Sequence, residues 1–269
     1  MTAALTAVPP KPSTFGQWWV LTRRLVAPTV RNGEVLTAAV ASVVFTAGWY
    51  IPLHHIIGVR SGMSSYAQYL MPLVALQGVS FASVTGALRA ATDSVKGINR
   101  RFDAMPIAPL APLAARMSAG VYRCAVGTIA ALISGHVIGF RFYRSPQSAV
   151  GFCLLLLLVG LVLSFLADLL GTSTRNPEAI TQWLVLPQLM FGLLSVGIQP
   201  AGQFPHWAQP IIRDQPISQV IYALRALAGD ATPAVGSVNW AVVGPSVAWL
   251  VGVMTVMVPL SVLILRRRP

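Results

Sequence analysis

Two charged residues of the sequence lie within long apolar runs, where an ionised side chain is costly. Asp168 lies near one end of such a run, and Arg123 lies inside another. Asp168 can pair with Arg123 or with Arg116, or it can be exposed where its run ends; each of these roles is structural. The alternative is a role for Asp168 in binding a substrate or relaying a proton.

A serine and a histidine suggest a second kind of chemistry, because an imidazole base can activate a hydroxyl as a nucleophile. Ser80 and His136 would be used in this way by an intramembrane enzyme acting on a lipid or a peptide. Their positions argue against the pair: Ser80 lies 14 residues from the end of its apolar run, and His136 lies 4 residues from the corresponding end of its own. Ten helical residues span about 15 Å, whereas a nucleophile and its base lie about 3 Å apart.

The sequence has no evident metal or nucleotide site. The neighbouring histidines His54 and His55 lack a carboxylate at ligand spacing, because Asp and Glu are absent from residues 35–92. A P-loop requires the pattern G-x-x-x-x-G-K-[ST], and neither Lys11 nor Lys96 follows such glycines. We therefore expect no cofactor on this chain. If the protein uses ATP hydrolysis, the ATPase is a different chain.

The composition indicates an integral membrane protein. Of the 269 residues, 55% are hydrophobic and only 10% are charged, whereas soluble domains carry about 25% charged residues. The net charge of +12 could suggest nucleic acid binding. However, the basic residues are scattered between apolar blocks, which is typical of contact with anionic membrane lipid. We therefore expect no nucleic acid partner.

Six apolar segments predict an all-α integral membrane fold with six transmembrane helices. Each segment has 21 to 25 residues, and about 20 helical residues cross the hydrocarbon of a bilayer. The backbone must be helical because lipid offers it no hydrogen-bond partners. The predicted spans are residues 35–58, 66–88, 117–140, 149–171, 179–199 and 241–265.

The N-terminal part of the sequence is predicted to lie on the membrane rather than across it. Residues 1–14 are rich in Ala, Thr and Pro and are interpreted as a flexible tail. Residues 15–33 combine aromatic side chains with arginines and are too short and too charged to span. They are therefore interpreted as an interfacial amphipathic helix, which precedes the transmembrane domain at 34–269.

The distribution of basic residues predicts the orientation of the chain. With both termini in the cytoplasm, 14 of the 19 Lys and Arg residues lie on the inner side. This bias fits the positive-inside rule. We therefore expect a multi-pass protein of the inner (plasma) membrane with cytoplasmic N- and C-termini.

The connection between the fifth and sixth spans is predicted to form an outer re-entrant helical hairpin at residues 205–229. Trp207, Tyr222 and a row of branched residues give it an apolar face, whereas Asp214 and Arg225 are charged. Burial against the spans, with the charges toward the outer interface, satisfies both features. We expect two short helices broken near Pro216, with Arg225 facing Asp214 or the lipid phosphates.

The sequence resembles the ABC-2 type permeases, and within them the daunorubicin-resistance (Drr) permease B subunit of actinobacteria and mycobacteria. The resemblance covers about residues 15–269. The residues that carry it are Asn176-Pro177-Glu178, Leu186-Pro187, Phe204-Pro205-x-Trp207, Gln215-Pro216-Ile217-Ser218, Ala223-Leu224-Arg225-Ala226-Leu227, Asn99-Arg100-Arg101-Phe102-x-x-Met105-Pro106, Ala90-Ala91-Thr92-Asp93-Ser94 and Val137-Ile138-Gly139-Phe140-Arg141-Phe142.

This resemblance implies a non-catalytic permease subunit of an ATP-driven exporter. The implied partners are a separate A-like ABC ATPase, which binds ATP and Mg²⁺, and a second permease, either C-like or another copy of this chain. The implied substrates are amphiphilic drugs or large cell-envelope lipids of the phthiocerol dimycocerosate or glycopeptidolipid kind. An intramembrane enzyme remains the alternative function.

The cytoplasmic connection at 93–112 is the expected contact with the ATPase. A short helix that presents cations and an apolar wedge suits a groove on a soluble subunit. The expected coupling residues are Arg100, Arg101, Phe102, Met105 and Pro106. The alternative is an inner-leaflet loop that holds lipid phosphates.

Overall fold

The structure, a computed structural model, describes residues 13–31, 33–60, 65–174, 176–229 and 238–266. Within these ranges the chain is helical and contains no strand. The predicted tail at 1–14 lies outside the described residues except for its last two positions. The ten α-helices are α1 Thr14–Arg31, α2 Glu34–Arg60, α3 Tyr66–Val95, α4 Ile98–Asp103, α5 Ala111–Val137, α6 Pro146–Ser173, α7 Pro177–Leu193, α8 Gln209–Asp214, α9 Pro216–Ala228 and α10 Trp240–Arg266.

Four of the described helices are long and apolar enough to cross a membrane: α3, α5, α6 and α10. Several such helices make this a multi-pass membrane protein. The other two predicted spans correspond to α2, with 27 residues, and to α7, with 17 residues. A helix of 17 residues is about 25 Å long. The count of six spans therefore stays a prediction.

The ends of the helices differ from the ends of the apolar runs. Helix α3 continues to Val95 and α5 begins at Ala111, so the connection predicted to be cytoplasmic shortens to 96–110. A helix that leaves the hydrocarbon can continue, because its hydrogen bonds are internal and its new side chains meet polar surroundings. Hydropathy marks where lipid contact ends and not where the helix ends.

Helix α7 ends earlier than the predicted span at 179–199. The buried residues that follow it, 195–198, form turns. Serine side chains accept hydrogen bonds from the backbone of these turns. The Val196 N–H donates to Ser218 Oγ at 3.2 Å, and the Gly197 N–H donates to Ser195 Oγ at 3.1 Å. Non-helical backbone is tolerated inside a membrane protein when other protein groups form hydrogen bonds with its N–H and C=O groups.

Helix α3 forms the centre of the bundle. It packs against α2, α5, α6 and α7, and the first half of the helix is almost completely buried. Glycines allow the closest approaches: a Cβ on Gly127 would lie 3.2 Å from the Gly78 carbonyl oxygen, and a Cβ on Gly171 would collide with the Ala87 carbonyl oxygen. Close backbone contact of this kind is typical of helix pairs in membranes.

Helix α1 lies against the bundle rather than apart from it. Trp18 Nε1 donates to Ser118 Oγ of α5 at 3.1 Å. Arg89 Nη1 of α3 donates to the Leu25 carbonyl at 2.8 Å and to Thr29 Oγ1 at 3.1 Å. The N-terminal amphipathic helix is therefore attached to the same ends of α3 and α5 that border the connection at 96–110.

Candidate functional site

The predicted coupling residues lie on and just after α4, at the end of the bundle where α3 stops. Gly97 makes the turn into α4 with φ 68°, a left-handed conformation that glycine adopts without strain. The cations Arg100 and Arg101 are exposed, as are Met105 and Pro106. These four side chains are accessible to a soluble partner.

Phe102, the fifth coupling residue, is half-buried because it faces α1. The Arg24 guanidinium lies 5.7 Å from the centre of the Phe102 ring, within the range of a cation–π contact. The same connection is held further along, where the Ala108 N–H donates to Gln17 Oε1 at 2.8 Å. A displacement of α4 would therefore also displace α1.

Asp168, the carboxylate predicted to lie within the membrane, forms an ion pair. Its Oδ1 lies 2.6 Å from Arg116 Nε, and both side chains are largely buried. The N–H of Nε does not point at the oxygen with hydrogen-bond geometry, so the contact is electrostatic. The pairing with Arg116, one of the two considered from the sequence, is therefore present in the structure.

Arg123, the other intramembrane charge, is 5% exposed and lies in the same cleft as Asp168. A Cβ on Gly86 would lie 2.9 Å from Arg123 Nη2. The glycine in α3 therefore makes room for the guanidinium. A substitution of Gly86 by a larger residue would force Arg123 to move.

The position expected for Arg225 was wrong. The sequence predicted that it would face Asp214 or lipid phosphates, but the side chain is 1% exposed. Nη2 donates to the carbonyls of Val196 at 2.7 Å and Gly197 at 3.3 Å, and Nε donates to the Tyr69 carbonyl at 3.1 Å. The guanidinium carbon also lies 3.4 Å from the centre of the Tyr69 ring. Backbone carbonyls of α3 and of the turn after α7 thus hold the guanidinium inside the protein.

Asp214 instead bonds its chain neighbour at the exposed end of α8. Arg213 Nε donates to Asp214 Oδ1 at 2.9 Å, and this hydrogen bond holds the pKa of Asp214 below its usual value. Of the other hairpin residues, Trp207 is 77% exposed, whereas Tyr222 is partly buried against the core.

The hairpin segment consists of α8 and α9, and the break between them is the extended residue Gln215, next to Pro216 at the start of α9. The insertion of this segment into the outer leaflet remains a prediction. Within the bundle, α9 packs against α3, α6 and α10.

The sequence analysis missed a cavity of about 360 Å³ between α3, α6, α7, α9 and α10. Helix α7 packs mainly on α3, and α10 packs mainly on α9, which leaves space between them. This membrane cavity has mostly apolar walls, and its polar side chains include Gln77, Gln188, Ser80 and Ser83. Gln188 Nε2 donates to Gln77 Oε1 at 3.0 Å. Two glutamines in apolar helices were the signal that could have revealed it.

The serine and histidine of the hypothetical enzyme are not brought together. Ser80 Oγ donates to the Leu76 carbonyl at 2.9 Å, within its own helix. His136 is exposed near the end of α5, and the adjacent Gly135 packs on Met71. Met71 precedes Ser80 by nine helical residues, which is about 13 Å. Among the described residues, no three His, Cys, Asp or Glu side chains could hold a metal ion together.

Comparison with known proteins agrees with this architecture. The profile of the family described as "ABC-2 family transporter protein" matches residues 47–263. The doxorubicin resistance ABC transporter permease protein DrrB of Mycobacterium tuberculosis is 51% identical over 263 residues, which are 96% of this chain and 91% of that protein.

More distant relatives carry similar names. The probable doxorubicin resistance ABC transporter permease protein DrrC of M. tuberculosis is 27% identical over 70% of this chain and 67% of its own length. The daunorubicin resistance ABC transporter permease protein DrrB1 of Streptomyces coeruleorubidus is 30% identical over 60% of this chain and 57% of its own length. The helical bundle, its membrane-crossing helices and these matches together show that this chain belongs to the ABC-2 transporter family, as a permease subunit and not an enzyme.

Proposed function

We propose that the chain is the membrane-spanning permease subunit of an ATP-driven exporter for amphiphilic drugs of the anthracycline type. Relatives with the words doxorubicin or daunorubicin resistance in their names support this substrate class. The observation that carries the proposal is the membrane cavity, because apolar walls with a few polar groups are typical of sites for drug-sized molecules.

The walls of the membrane cavity suit a flat aromatic molecule. Trp183, Phe191 and Trp249 line it and offer rings for stacking. The amides of Gln77 and Gln188 provide hydrogen-bond donors and acceptors, which would bind carbonyl and hydroxyl groups of such a molecule. A bound molecule that buried these amides without forming hydrogen bonds to them would lose binding free energy. The site would therefore favour a substrate that forms such hydrogen bonds.

The size of the membrane cavity favours a drug over a whole envelope lipid. Its volume of about 360 Å³ is near the lower end of the roughly 300–1,000 Å³ that is usual for small-molecule sites. A phthiocerol dimycocerosate- or glycopeptidolipid-like molecule, the second substrate class considered, would place only part of its length there. Drug export is therefore the main proposal.

The proposal also assigns partners to two surfaces. The exposed residues Arg100, Arg101, Met105 and Pro106 would bind a separate ABC ATPase, which would carry ATP and Mg²⁺. The exposed apolar side chains of α7 outside the membrane cavity, including Leu186 and Met190, would contact lipid or a second permease, either C-like or another copy. The proposed location is the inner membrane with both termini cytoplasmic, as the distribution of basic residues predicts.

Helix α7 is also suited to movement next to the membrane cavity. Pro187 lies inside it and removes one backbone hydrogen bond. Such a proline allows the helix to bend. A movement of the ATPase transmitted through α4 would change the angle of α7 and the access to the membrane cavity.

Transport by the reconstituted complex tests this function. We expect Gln77→Leu combined with Gln188→Leu to raise the KM for doxorubicin about thirtyfold, because the two lost hydrogen bonds to the substrate remove about 1 kcal/mol of binding each. The matched control is Gln147→Leu, which replaces an exposed glutamine at the start of α6. An unchanged KM in the double variant would place the drug elsewhere, and no ATP-dependent drug transport by the native complex would refute the function itself.

A further inference from the structure

A second cavity, of about 170 Å³, lies where α1 and α4 meet the ends of α3 and α5. We call it the arginine cavity. Arg24, Arg89 and Arg116 line it, together with the carboxylate Asp93. Its apolar lining includes Leu21, Leu25, Pro28, Ile98, Phe102 and Ala115. The cavity therefore has cationic groups and an apolar wall, as a site for an amphiphilic anion would.

The balance of charge in this region is positive. A narrow cleft continues from the arginine cavity between α3, α5 and α6, and it is lined by Arg123 and Asp168. Asp168 is also ion-paired with Arg116 of the arginine cavity. Four arginines in the two spaces face two aspartates, which leaves an excess of two positive charges in partly enclosed surroundings. Such an excess attracts an anion more strongly here than at an open surface.

Two of the arginines that line the arginine cavity are held in place by contacts with neighbouring helices. Arg24 stacks on the Phe102 ring, and stacking uses the face of a guanidinium rather than its N–H edge. Arg89 is fixed by the bonds of its Nη1 to α1. A guanidinium has five N–H donors in a planar fork that matches a phosphate.

The depth of the arginine cavity matches that of lipid headgroups. Arg89 is the first charged residue after the apolar run 66–88 of α3, so it lies where the hydrocarbon ends. Helix α1 carries Trp18 and Trp19, residue types that are enriched at the membrane interface. Basic pockets between helices at the cytoplasmic face are places where phospholipid headgroups bind.

We propose that the arginine cavity binds the phosphate of an anionic phospholipid from the inner leaflet, with Arg24, Arg89 and Arg116 as its ligands. The lipid bridges α1, α3 and α5 beside Phe102, and it thereby stiffens the attachment of α1 to the predicted coupling region. This site differs from the loop at Arg100 and Arg101, whose side chains are exposed and line neither space.

The proposal does not depend on the transported substrate, and lipid binding to the purified complex tests it directly. Native mass spectrometry with added phosphatidylglycerol or phosphatidylcholine measures the affinity of each lipid. We expect phosphatidylglycerol to bind at least about tenfold more tightly, and Arg24→Gln to reduce that affinity about tenfold, because a charge-assisted bidentate contact is lost. Arg23→Gln, its exposed neighbour outside the arginine cavity, is the matched control and should change the affinity less than twofold.

Two further experiments test whether the bound phosphate belongs to a lipid and whether the Arg24 variant loses binding only because it misfolds. Arg24→Lys restores the charge and should recover phosphatidylglycerol binding to within about threefold of the native protein. Inorganic phosphate added to the phosphatidylcholine-bound protein should not reproduce the rise in melting temperature that phosphatidylglycerol gives. Equal affinity for the two lipids, equal effects of the Arg23 and Arg24 variants, or stabilisation by inorganic phosphate alone would overturn the assignment.

Discussion

Replacement of Arg225 by Met should destabilise the part of the bundle where α9 meets α3 and the turn after α7, although the variant removes a buried charge. The guanidinium donates to the carbonyls of Val196, Gly197 and Tyr69 and covers the Tyr69 ring. Methionine has a similar length and fills much of the same space, but it offers no donor. The perturbation therefore acts on hydrogen bonds and the cation–π contact more than on packing.

The size of the effect follows from these contacts. The two shorter bonds contribute about 1 to 1.5 kcal/mol each, near the upper values found for polar contacts between membrane helices. The buried cation–π contact adds about 1 to 2 kcal/mol. Met does not require the desolvation of a guanidinium, which offsets roughly half of this loss. We expect a net loss of about 2 kcal/mol, or a melting temperature lower by about 4 to 8 °C.

A double-mutant cycle with Tyr69→Phe makes the test specific. The Tyr69 hydroxyl donates to the same Val196 carbonyl at 2.7 Å, and Phe keeps the ring while removing that donor. Each single variant leaves the buried carbonyl one side-chain donor, whereas the double variant leaves it none. We therefore expect the double loss to exceed the sum of the single losses by about 1 to 2 kcal/mol.

Fluorescence-detected thermal unfolding of the purified complex in detergent provides the measurement. The control is Arg213→Met, because Arg213 is exposed and its ionic partner is the neighbouring Asp214; this change should leave the melting temperature within about 1 °C. Additivity of the two variants within about 0.5 kcal/mol would show that they do not share the carbonyl. An unchanged melting temperature in Arg225→Met would refute the buried position of the side chain.

Arg101→Glu should lower drug-stimulated ATP hydrolysis by the complex at least about threefold, because it reverses an exposed charge on α4; Arg31→Glu at the end of α1 is the control, and equal activities would remove α4 from the contact with the ATPase. In whole cells, a cysteine at Ser145 should react with an impermeant thiol reagent, whereas a cysteine at Lys96 should not. Both positions are exposed, so labelling at Lys96 from outside would reverse the orientation that the positive-inside rule predicts.

The sequence predicted the helical class and the places of the apolar helices, because lipid contact is encoded locally in each run. It did not predict where α7 ends, since that depends on Ser218 of α9 binding the backbone of Val196. Local hydropathy carries no information about such a partner. The same limit explains why the apolar run at 179–199 was expected to be helical throughout.

The error over Arg225 has a related cause. In the sequence, an arginine near the outer interface was interpreted as a charge seeking an anion or water. Its partners are separated from it by 156 residues at Tyr69 and by 29 residues at Val196. A buried cation among carbonyls needs three separate segments to converge, and no pattern within the hairpin could indicate this. The membrane cavity was missed for the same reason, because five helices form it.

The 17 residues of α7 have a consequence for the surrounding bilayer. If α7 crosses the membrane, its length of about 25 Å is about 5 Å less than the hydrocarbon thickness of a typical bilayer. Such a hydrophobic mismatch is relieved by a thinner bilayer at that side or by protein that covers the missing length. Toward the bundle, the turn at 195–198 and the attached α9 fill the length that α7 lacks. On the face away from the bundle, where Met190 and Leu193 are exposed, α7 would meet the acyl chains directly. The thickness of the host membrane thus becomes a mechanical load on the helix that forms one wall of the membrane cavity, and lipid chain length becomes a variable that acts on the width of that space.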